Sequence, residues 1–318
     1  MKKGLLLGIP LLCLSLYSCV SNEETSSPLG EDVKTISITI ADMEEETPYS
    51  RMNVVLEDKM KYKWEAYDTI GIFPSKGGQV EFPIESEGGE TSAKFDGGGW
   101  GLKTNYTYSA YYPFNFYNRQ VTAVPLSYVG QKQNGTNELA RRHLSNYAVM
   151  ATPPVTVEDA ALKFTLNHVG SIIILHLTMP EAATYTSAVL YTDSKVIPVM
   201  KTINLTDEQL TQTPTKMSDR LTIDLENVTT QTANQEIALW IAFPAVSEST
   251  HNLKVVVYDK YGIAYSADVY KKDKVTLSNV VFNKNTYYNR YASPVLTEGF
   301  NFGLKKWDQG SKTQGRLQ

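Results

Sequence analysis

Alternation of polar and apolar residues is the dominant pattern of this chain, and it predicts β-strands. Residues 34–40 read KTISITI, so Ile36, Ile38 and Ile40 share one face of a half-buried strand. An acidic break that contains proline follows at residues 44–48, and proline cannot donate to a strand ladder. We therefore predict that the first strand is separable from the rest of the chain.

The same alternation recurs at intervals through both halves of the chain. In the first half it predicts strands at residues 53–56, 68–73, 80–84 and 105–112, and one helical turn at residues 137–144. In the second half it predicts a strand region at residues 161–177 with a bulge at Gly170 and Ser171, strands at residues 221–225, 237–243, 253–258, 263–270 and 275–282, and a short helix at residues 204–211. Many short strands with little helix predict a sandwich or a barrel in each half, and we favour sandwiches.

The length of the chain predicts two domains. At about 150 residues per domain, 318 residues are enough for two cores. The 20 tyrosines and the aromatic share of 11% favour strands over helices. A pair of prolines at residues 153–154 closes the first half, so we predict an N-terminal β-sandwich domain at residues 33–158 and a C-terminal one at residues 159–318.

The N-terminus has the pattern of a secretory signal. Two lysines precede an apolar stretch at residues 5–16 that is too short to span a bilayer. The stretch ends in LYSC, which resembles the lipobox of bacterial lipoproteins and makes Cys19 the lipidation site. The other cysteine, Cys13, lies inside the signal, so Cys19 has no partner for a disulfide. We predict a signal peptide at residues 1–18 and a polar, flexible tether at residues 19–32; the alternative is an ordinary signal cut beyond Cys19.

Charge and motifs argue against nucleic-acid binding and catalysis. Removal of the signal changes the formal net charge from −4 to −6, and no basic stripe for nucleic acid is present. The predicted mature chain lacks a Gly-x-Ser-x-Gly motif and any cysteine that could act beside a histidine. His168 and His176 are too far apart along a strand to bind one ion directly. We therefore predict no catalytic residue, no metal site and no cofactor.

Two local patterns leave a choice open. The glutamates at residues 44–46 and 85–87 could pair for glycoside hydrolysis, although solvated loops explain them adequately. Residues 111–117, the most aromatic stretch, could form a carbohydrate platform. Core packing followed by a solvated loop is the interpretation we favour for this stretch.

Several motifs, taken in order, resemble the fimbrillin family of Bacteroidales. They are WEAYDTIGIF at residues 64–73, YYPF at 111–114, YAVM at 147–150 and LKFTLNHVGS at 162–171. VFNKNTYY at residues 281–288 is similar to a late strand pair of that family, and residues 303–310 around Trp307 resemble its usual ending. The resemblance covers most of the predicted mature chain.

The resemblance implies a pilus or pilus-accessory subunit that is exported as a lipoprotein to the outer membrane and supports cell adhesion. It implies two tandem transthyretin-like β-sandwich domains with Greek-key-like antiparallel sheets. In polymerising members, an arginine-specific protease cuts behind the first strand, which leaves the fold. The strand of an incoming subunit then fills the groove, which is a form of β-augmentation.

Carried over residue by residue, the resemblance identifies three elements. The protease-processing candidate is Arg51, flanked by Ser50 and Met52 where many relatives have threonine; the alternative is a solvated surface arginine. The displaced-strand candidates are Lys34, Ile36, Ile38 and Ile40. The donor-strand candidates are Phe300, Phe302, Leu304 and Trp307, with a plain domain edge as the alternative.

The sequence thus predicts a lipid-anchored fimbrial subunit on the cell surface that assembles by donor-strand exchange. Its expected partners are other fimbrial subunits, the outer membrane through the lipid on Cys19, an arginine-specific protease, and a host or bacterial surface ligand. The alternatives are a non-polymerising anchor and a surface lipoprotein that binds glycans or host molecules. An aromatic platform that stays exposed in the folded monomer would favour binding.

Overall fold

The computed structural model describes residues 30–46, 60–96, 101–250, 253–272, 277 and 280–297. Within these ranges the chain forms twenty-two strands and one 3-10 helix, which confirms the all-β prediction. No helix in this described part is long and apolar enough to cross a membrane.

The strands of the first half, and the single 3-10 helix, have the following bounds: β1 (Thr35–Ile40), β2 (Glu44–Glu45), β3 (Thr69–Pro74), β4 (Val80–Pro83), β5 (Ser92–Lys94), β6 (Thr107–Tyr112), β7 (Val124–Ser127), β8 (Gln131–Asn134), the helix (Glu138–Asn146) and β9 (Met150–Thr156). Those of the second half are β10 (Ala161–His168), β11 (Ser171–Met179), β12 (Thr184–Tyr191), β13 (Ile197–Ile203), β14 (Gln212–Ser218), β15 (Arg220–Thr229), β16 (Gln235–Phe243), β17 (Val246–Thr250), β18 (Lys254–Asp259), β19 (Ala264–Asp268), β20 (Val280–Phe282), β21 (Thr286–Ala292) and β22 (Val295–Leu296).

The strands of the described residues form a multi-sheet β-sandwich. One sheet has seven strands in the order β4-β3-β6-β9-β10-β1-β5, and one has six in the order β22-β19-β18-β12-β15-β8. A four-stranded sheet has the order β16-β11-β21-β2, and two smaller sheets contain β14-β13-β7 and β17-β20. Most pairs are antiparallel, while β1–β10, β11–β21, β2–β21 and β15–β8 are parallel.

The largest core lies between the four-stranded and six-stranded sheets. Apolar side chains of β11, β16 and β21 meet those of β12, β15 and β18 there, as in sheet-on-sheet packing generally. β11 reads as a continuous apolar run from Ile172 to Leu175, and its side chains are buried on both faces of the sheet. Apolar residues on both faces are what a central strand requires when both faces are covered.

A second core belongs to the seven-stranded sheet. It contains the isoleucines of β1, the apolar residues of β10, and Trp64. A third, smaller cluster joins this sheet to the three-stranded one through Phe73, Tyr111, Leu126 and Ile203.

Most strands predicted from alternation are confirmed, with bounds that differ by a few residues at most ends. They include the predicted strands at residues 34–40, 68–73, 80–84, 105–112, 221–225, 237–243, 253–258 and 263–270. The helical turn predicted at residues 137–144 is also confirmed as the 3-10 helix, whose N-cap Asn137 accepts a hydrogen bond from Leu139 N. The strand predicted at residues 53–56 lies outside the described residues.

The predicted bulge at Gly170 and Ser171 is wrong. β10 ends at His168 and β11 begins at Ser171, and the two strands belong to different sheets. A Cβ on Gly170 would lie 2.8 Å from the carbonyl oxygen of Phe243. Glycine therefore allows the chain to pass close to β16 as it crosses from one sheet to the next.

The short helix predicted at residues 204–211 is also wrong, because these residues form turns. The side chain of Asn204 accepts a hydrogen bond from Thr206 N at 2.9 Å, and that of Asp207 accepts one from Thr211 N at 3.0 Å. Such local side-chain bonds to the backbone compete with helix formation.

Strand pairing crosses the boundary that was predicted at residue 158. β10, from the second half, pairs with β1 and β9 of the first half. β7 and β8, from the first half, pair with β13 and β15 of the second. Each half therefore contributes strands to sheets formed mainly by the other, and the division into two domains at this position stays a prediction.

Candidate functional site

The first strand, β1, lies inside the seven-stranded sheet. It pairs in parallel with β10 along its whole length, from Thr35 opposite Ala161 to Ile40 opposite Leu166. On its other side it pairs antiparallel with β5 at three positions. Only this three-residue strand separates β1 from the edge of the sheet.

One face of β1 is buried and the other is solvated, as its alternation predicts. Ile36, Ile38 and Ile40 are 9%, 0% and 4% exposed, whereas Thr35 and Thr39 are exposed. Burial of an isoleucine side chain contributes about 1.5–3 kcal/mol, so these three together hold the strand by several kcal/mol.

Removal of β1 would leave a groove with complementary chemistry. The residues of β10 opposite the three isoleucines are Leu162, Phe164 and Leu166, which are buried at 2% exposure or less. Backbone N–H and C=O groups of β10 form hydrogen bonds with β1. An incoming strand with alternating apolar residues could cover these side chains and pair with these backbone groups at once. A cleft of about 470 Å³ already opens beside the start of β1, lined in part by Ile36 and Phe95.

After β1 the chain crosses to the four-stranded sheet, through residues 42–46, which we call the strap. Met43 is fully buried in the larger core, and its backbone exchanges two hydrogen bonds with Met60, at 3.0 and 3.2 Å. β2, within the strap, lies parallel to β21 as its outer neighbour. The segment that contains β1 therefore also supplies the edge strand of a second sheet.

The glutamates of the strap bind side chains of β21. Glu45 accepts hydrogen bonds from Asn289 Nδ2 at 2.6 Å and from Tyr287 Oη at 3.3 Å. Glu46 forms ion pairs with Arg290 Nη1 at 2.7 Å and with Lys271 Nζ at 3.1 Å. The interpretation as a solvated loop is therefore wrong for Glu45 and Glu46, while Glu44 and, in the other acidic run, Glu85 and Glu87 are exposed as predicted.

Arg290 is the most unusual residue of this site, because its charge is almost completely buried. The side chain is 1% exposed and lies against the rings of Tyr288 and Phe282, with the guanidinium carbon 4.8 and 5.8 Å from their centroids. Nη1 also donates to the carbonyl of Asn289 at 2.9 Å. Within the described residues, Nε and Nη2 have no hydrogen-bond partner. A buried cation requires a counter-charge, and Glu46 supplies it.

The remaining predicted site residues lie outside the described part of the chain. They are the lipidation site Cys19, the processing candidate Arg51, and the donor-strand candidates Phe300, Phe302, Leu304 and Trp307. In sequence, Arg51 comes five residues after Glu46. Both β1 and the strap therefore precede it.

The aromatic stretch at residues 111–117 divides into a buried and an exposed part. Tyr111 and Tyr112 are 1% and 8% exposed, and Tyr112 donates a hydrogen bond to Asp68 Oδ1 at 2.8 Å. Phe116 and Tyr117 are 61% and 84% exposed, with their rings edge to face at 5.8 Å. Core packing followed by a solvated loop is confirmed, and two aromatic rings nevertheless remain available on the surface.

Polar groups and a cleft adjoin these exposed rings. The guanidinium of Arg119 lies 4.9 Å from the ring centroid of Phe116. A cleft of about 480 Å³ beside the loop is lined in part by Phe116, Tyr147 and Lys201. Lys201 Nζ donates to the carbonyl of Ala245 at 2.9 Å, and burial lowers the pKa of this amine to about 8. Aromatic rings beside polar groups can pack against the apolar face of a sugar.

The two histidines considered as metal ligands lie in different strands and environments. His168, in β10, is 2% exposed, with its ring centroid 4.3 Å from that of Tyr62, and burial lowers its pKa to about 3. His176, in β11, stacks on Tyr291 and contacts Glu236. In the described ranges, no three His, Cys, Asp or Glu side chains come together as a metal site would need.

Together these features define a multi-sheet β-sandwich protein whose first strand lies within one sheet and whose following strap supplies an edge strand of another. No protein-family model matches the chain, and no curated protein does. Among solved structures, a candidate cell adhesion protein from Bacteroides ovatus is similar, with a TM-score of 0.50 and 13% identity over 84% of this chain and 96% of that one.

Two further solved structures are similar over most of their length. A candidate cell adhesion protein from Bacteroides uniformis has a TM-score of 0.48 and 12% identity, over 74% of this chain and 92% of that one. The tip fimbrial protein Mfa3 from Porphyromonas gingivalis, with a C-terminal truncation, has a TM-score of 0.37 and 12% identity, over 72% and 92%. The likeness to the Bacteroides ovatus protein shows a shared fold, which is consistent with the resemblance to the fimbrillin family.

Proposed function

We propose that this protein is a fimbrial subunit of the bacterial cell surface, anchored before processing through a lipid on Cys19, that assembles by donor-strand exchange. The observation that carries the proposal is the position of β1. It lies between β10 and β5 with three buried isoleucines, and it precedes the processing candidate Arg51. A cut after Arg51 would leave β1 and the strap attached to the rest of the protein by non-covalent contacts alone.

The donor strand in this proposal is the segment around Phe300, Phe302 and Leu304. These three residues have the same spacing as Ile36, Ile38 and Ile40, at every second position. A strand with this spacing presents three apolar side chains to one face of a sheet. The donor segment therefore has the pattern needed to fill the groove beside β10 of another subunit.

Proteolysis of the intact fold tests this proposal. The unlipidated chain of residues 20–318 is incubated with an arginine-specific protease, the new N-terminus is sequenced, and filaments are sought by electron microscopy. We expect a new N-terminus at Met52 and polymers in the cut sample. The matched control is Arg51→Lys, which keeps the charge but removes the bond that the protease recognises.

A resistant bond after Arg51 would contradict the proposal, and so would a cut chain that keeps its first segment and stays monomeric. A donor peptide sharpens the test. A labelled peptide of residues 298–318 should be incorporated into the cut subunit, whereas the same peptide with Leu304→Asp should not, because the substitution places a charge in an apolar groove.

The lipid anchor has its own test. Cys19→Ala should move the protein from the membrane fraction to the soluble fraction of cells that express it.

A second candidate function is supported by the exposed rings of Phe116 and Tyr117. In this alternative the protein is a surface lipoprotein that binds a glycan or a host molecule beside the cleft that includes Lys201. Binding of labelled glycans to the uncut monomer tests it. The double substitution Phe116→Ala with Tyr117→Ala should abolish that binding without loss of fold, and the absence of any bound glycan would set this candidate aside.

A further inference from the structure

We propose that Arg290 is a carboxylate-recognition site within the assembly groove. In the uncut subunit it binds Glu46 of the chain's own strap, and after processing it favours a strand that carries a carboxylate at this place, as the first segment of a second copy does, over a strand that lacks one. This inference rests on the proposed strand exchange. It adds a requirement for charge to the requirement for alternating apolar residues.

The strap must leave together with β1. Both segments lie before Arg51, with no described element between the strap and that residue. The strap is held by backbone bonds to β21 and to the residue before it, from Glu46 N to Tyr287 O at 3.0 Å and from Glu44 N to Asn285 O at 3.2 Å. Its release would therefore uncover β21, and with it the guanidinium of Arg290.

The two parts of the opened groove would select a partner differently. The part beside β10 is apolar, and many alternating apolar strands could fill it. The part beside β21 contains a cation that is 1% exposed and 2.7 Å from its carboxylate partner. Loss of one member of such a buried pair leaves an uncompensated charge, which is far more costly than an imperfect apolar contact.

The present contact also leaves binding capacity unused. Glu46 engages Nη1 of the guanidinium, while Nε and Nη2 have no hydrogen-bond partner among the described residues. A guanidinium can bind a carboxylate through two parallel hydrogen bonds, which is a stronger arrangement than one. An incoming carboxylate that reaches two of these nitrogens would bind better than Glu46 does. Another strand with a carboxylate could therefore take the place of the strap beside Arg290.

Glu45 provides an internal comparison. Its partners, Tyr287 Oη and Asn289 Nδ2, are neutral donors. Glutamine has one acceptor oxygen where Glu45 uses two, so it can keep the 2.6 Å bond from Asn289 Nδ2 and lose the 3.3 Å bond from Tyr287 Oη, and the change leaves no charge without a partner. Substitution of glutamine at position 45 should therefore matter much less than the same change at position 46.

Peptide competition on the processed full chain tests the inference. The subunit is cut after Arg51, and the incorporation of a labelled peptide of residues 30–46 is competed with unlabelled variants. We expect the Glu46→Gln peptide to compete at least about tenfold more weakly than the unchanged peptide. The matched control is Glu31→Gln, which removes the same charge from an exposed side chain of the same peptide and should leave competition unchanged. The Glu45→Gln peptide should fall close to this control.

The same comparison on an Arg290→Met subunit completes the test. There the unchanged and Glu46→Gln peptides should differ by less than about fivefold, because only the part-exposed ion pair of Glu46 with Lys271 remains to distinguish them. If Arg290→Met does not fold, the peptide variants on the unaltered subunit decide the question alone. Equal competition by the Glu46→Gln and Glu31→Gln peptides there would overturn the inference, while the incorporation itself would still support strand exchange. A cut subunit that incorporates no peptide would overturn both.

Discussion

Ile38 is the residue whose substitution best tests how β1 is held. It is the central apolar residue of the strand and is fully buried. It lies opposite Phe164 of β10 and Ala93 of β5, and its carbonyl accepts a hydrogen bond from Trp64 Nε1 at 3.3 Å. Ile38→Ala removes three carbon atoms from this site and leaves the backbone pairing intact.

The expected loss of stability follows from the rigidity of the surrounding core. Replacement of a buried isoleucine by alanine costs about 2–5 kcal/mol, and the cost is larger where neighbours cannot move into the cavity. The core around Trp64 is built from rings in edge-to-face contact, with centroids 5.0 Å away for Phe95 and 5.4 Å away for Tyr112. We therefore expect a decrease of about 3–4 kcal/mol in the free energy of unfolding.

Chemical denaturation of the uncut, unlipidated chain measures this decrease. The control is Thr39→Ala at the neighbouring position, where the side chain is exposed and its hydroxyl contacts Ser92 Oγ at 3.0 Å. That change should cost less than about 1 kcal/mol. After a cut behind Arg51, the Ile38→Ala subunit should also release its first segment faster than the Thr39→Ala subunit.

Equal effects of the two substitutions would refute the reasoning, because they would mean that the apolar face of β1 does not hold the strand. A decrease below about 1 kcal/mol for Ile38→Ala would also refute it, because burial of the isoleucine side chain should by itself contribute more than this. Either result would remove the physical basis for a groove that a donor strand could fill.

Three further predictions concern other parts of the molecule. Burial holds the pKa of His168 at about 3, so below pH 6.5 the unfolded chain binds a proton that the folded chain does not. The free energy of unfolding should therefore decrease as the pH is lowered, by about 2 kcal/mol between pH 7.5 and pH 5. Denaturation of His168→Phe at these two pH values should show a decrease that is smaller by this amount. Gln131 bonds through its amide to Ala242 N and Ala242 O, both at 2.8 Å, and Gln131→Leu should cost at least about 2 kcal/mol because it leaves these buried groups unpaired. Phe116→Ala and Tyr117→Ala should each change stability by less than about 0.5 kcal/mol, because both rings are exposed.

Each of these predictions has an outcome that would contradict it. The same decline between pH 7.5 and pH 5 in His168→Phe would show that another group is responsible. For Gln131, the control is Lys132→Ala on the same strand, where an exposed ion pair with Glu226 predicts a change below about 1 kcal/mol; an equal effect of the two changes would contradict the argument. A marked loss of stability in either aromatic variant would mean that the loop contributes to the core.

The sequence by itself determined the class of fold and the local character of the first strand. A strand with one buried face must alternate, and β1 and β10 both show this pattern in their burial. The pattern was therefore sufficient to place Ile36, Ile38 and Ile40 on one face. The processing candidate Arg51 came from the resemblance to the fimbrillin family, applied to the one arginine that lies between the predicted tether and Trp64 in the sequence.

The alternation of polar and apolar residues does not predict a strand whose residues are all polar. β8 has the sequence QKQN, yet Gln131 and Gln133 are fully buried. Their side-chain amides bond to the backbone of β16, which is an edge strand of the four-stranded sheet. Nothing in a polar tetrapeptide indicates that its side chains will cover the edge of a strand that is distant in sequence, so this strand was missed.

Only the tertiary structure decided the role of the strap. Three consecutive glutamates have the same composition in a solvated loop and in an ion pair, and local pattern cannot distinguish the two. Glu46 becomes part of the candidate site because β21 brings the buried charge of Arg290 to within 2.7 Å of it. Long-range strand pairing determines which charges meet, and that pairing depends on how several sheets cover one another's apolar faces. The sequence therefore specifies the strands one at a time, whereas the packing of the sheets creates the site.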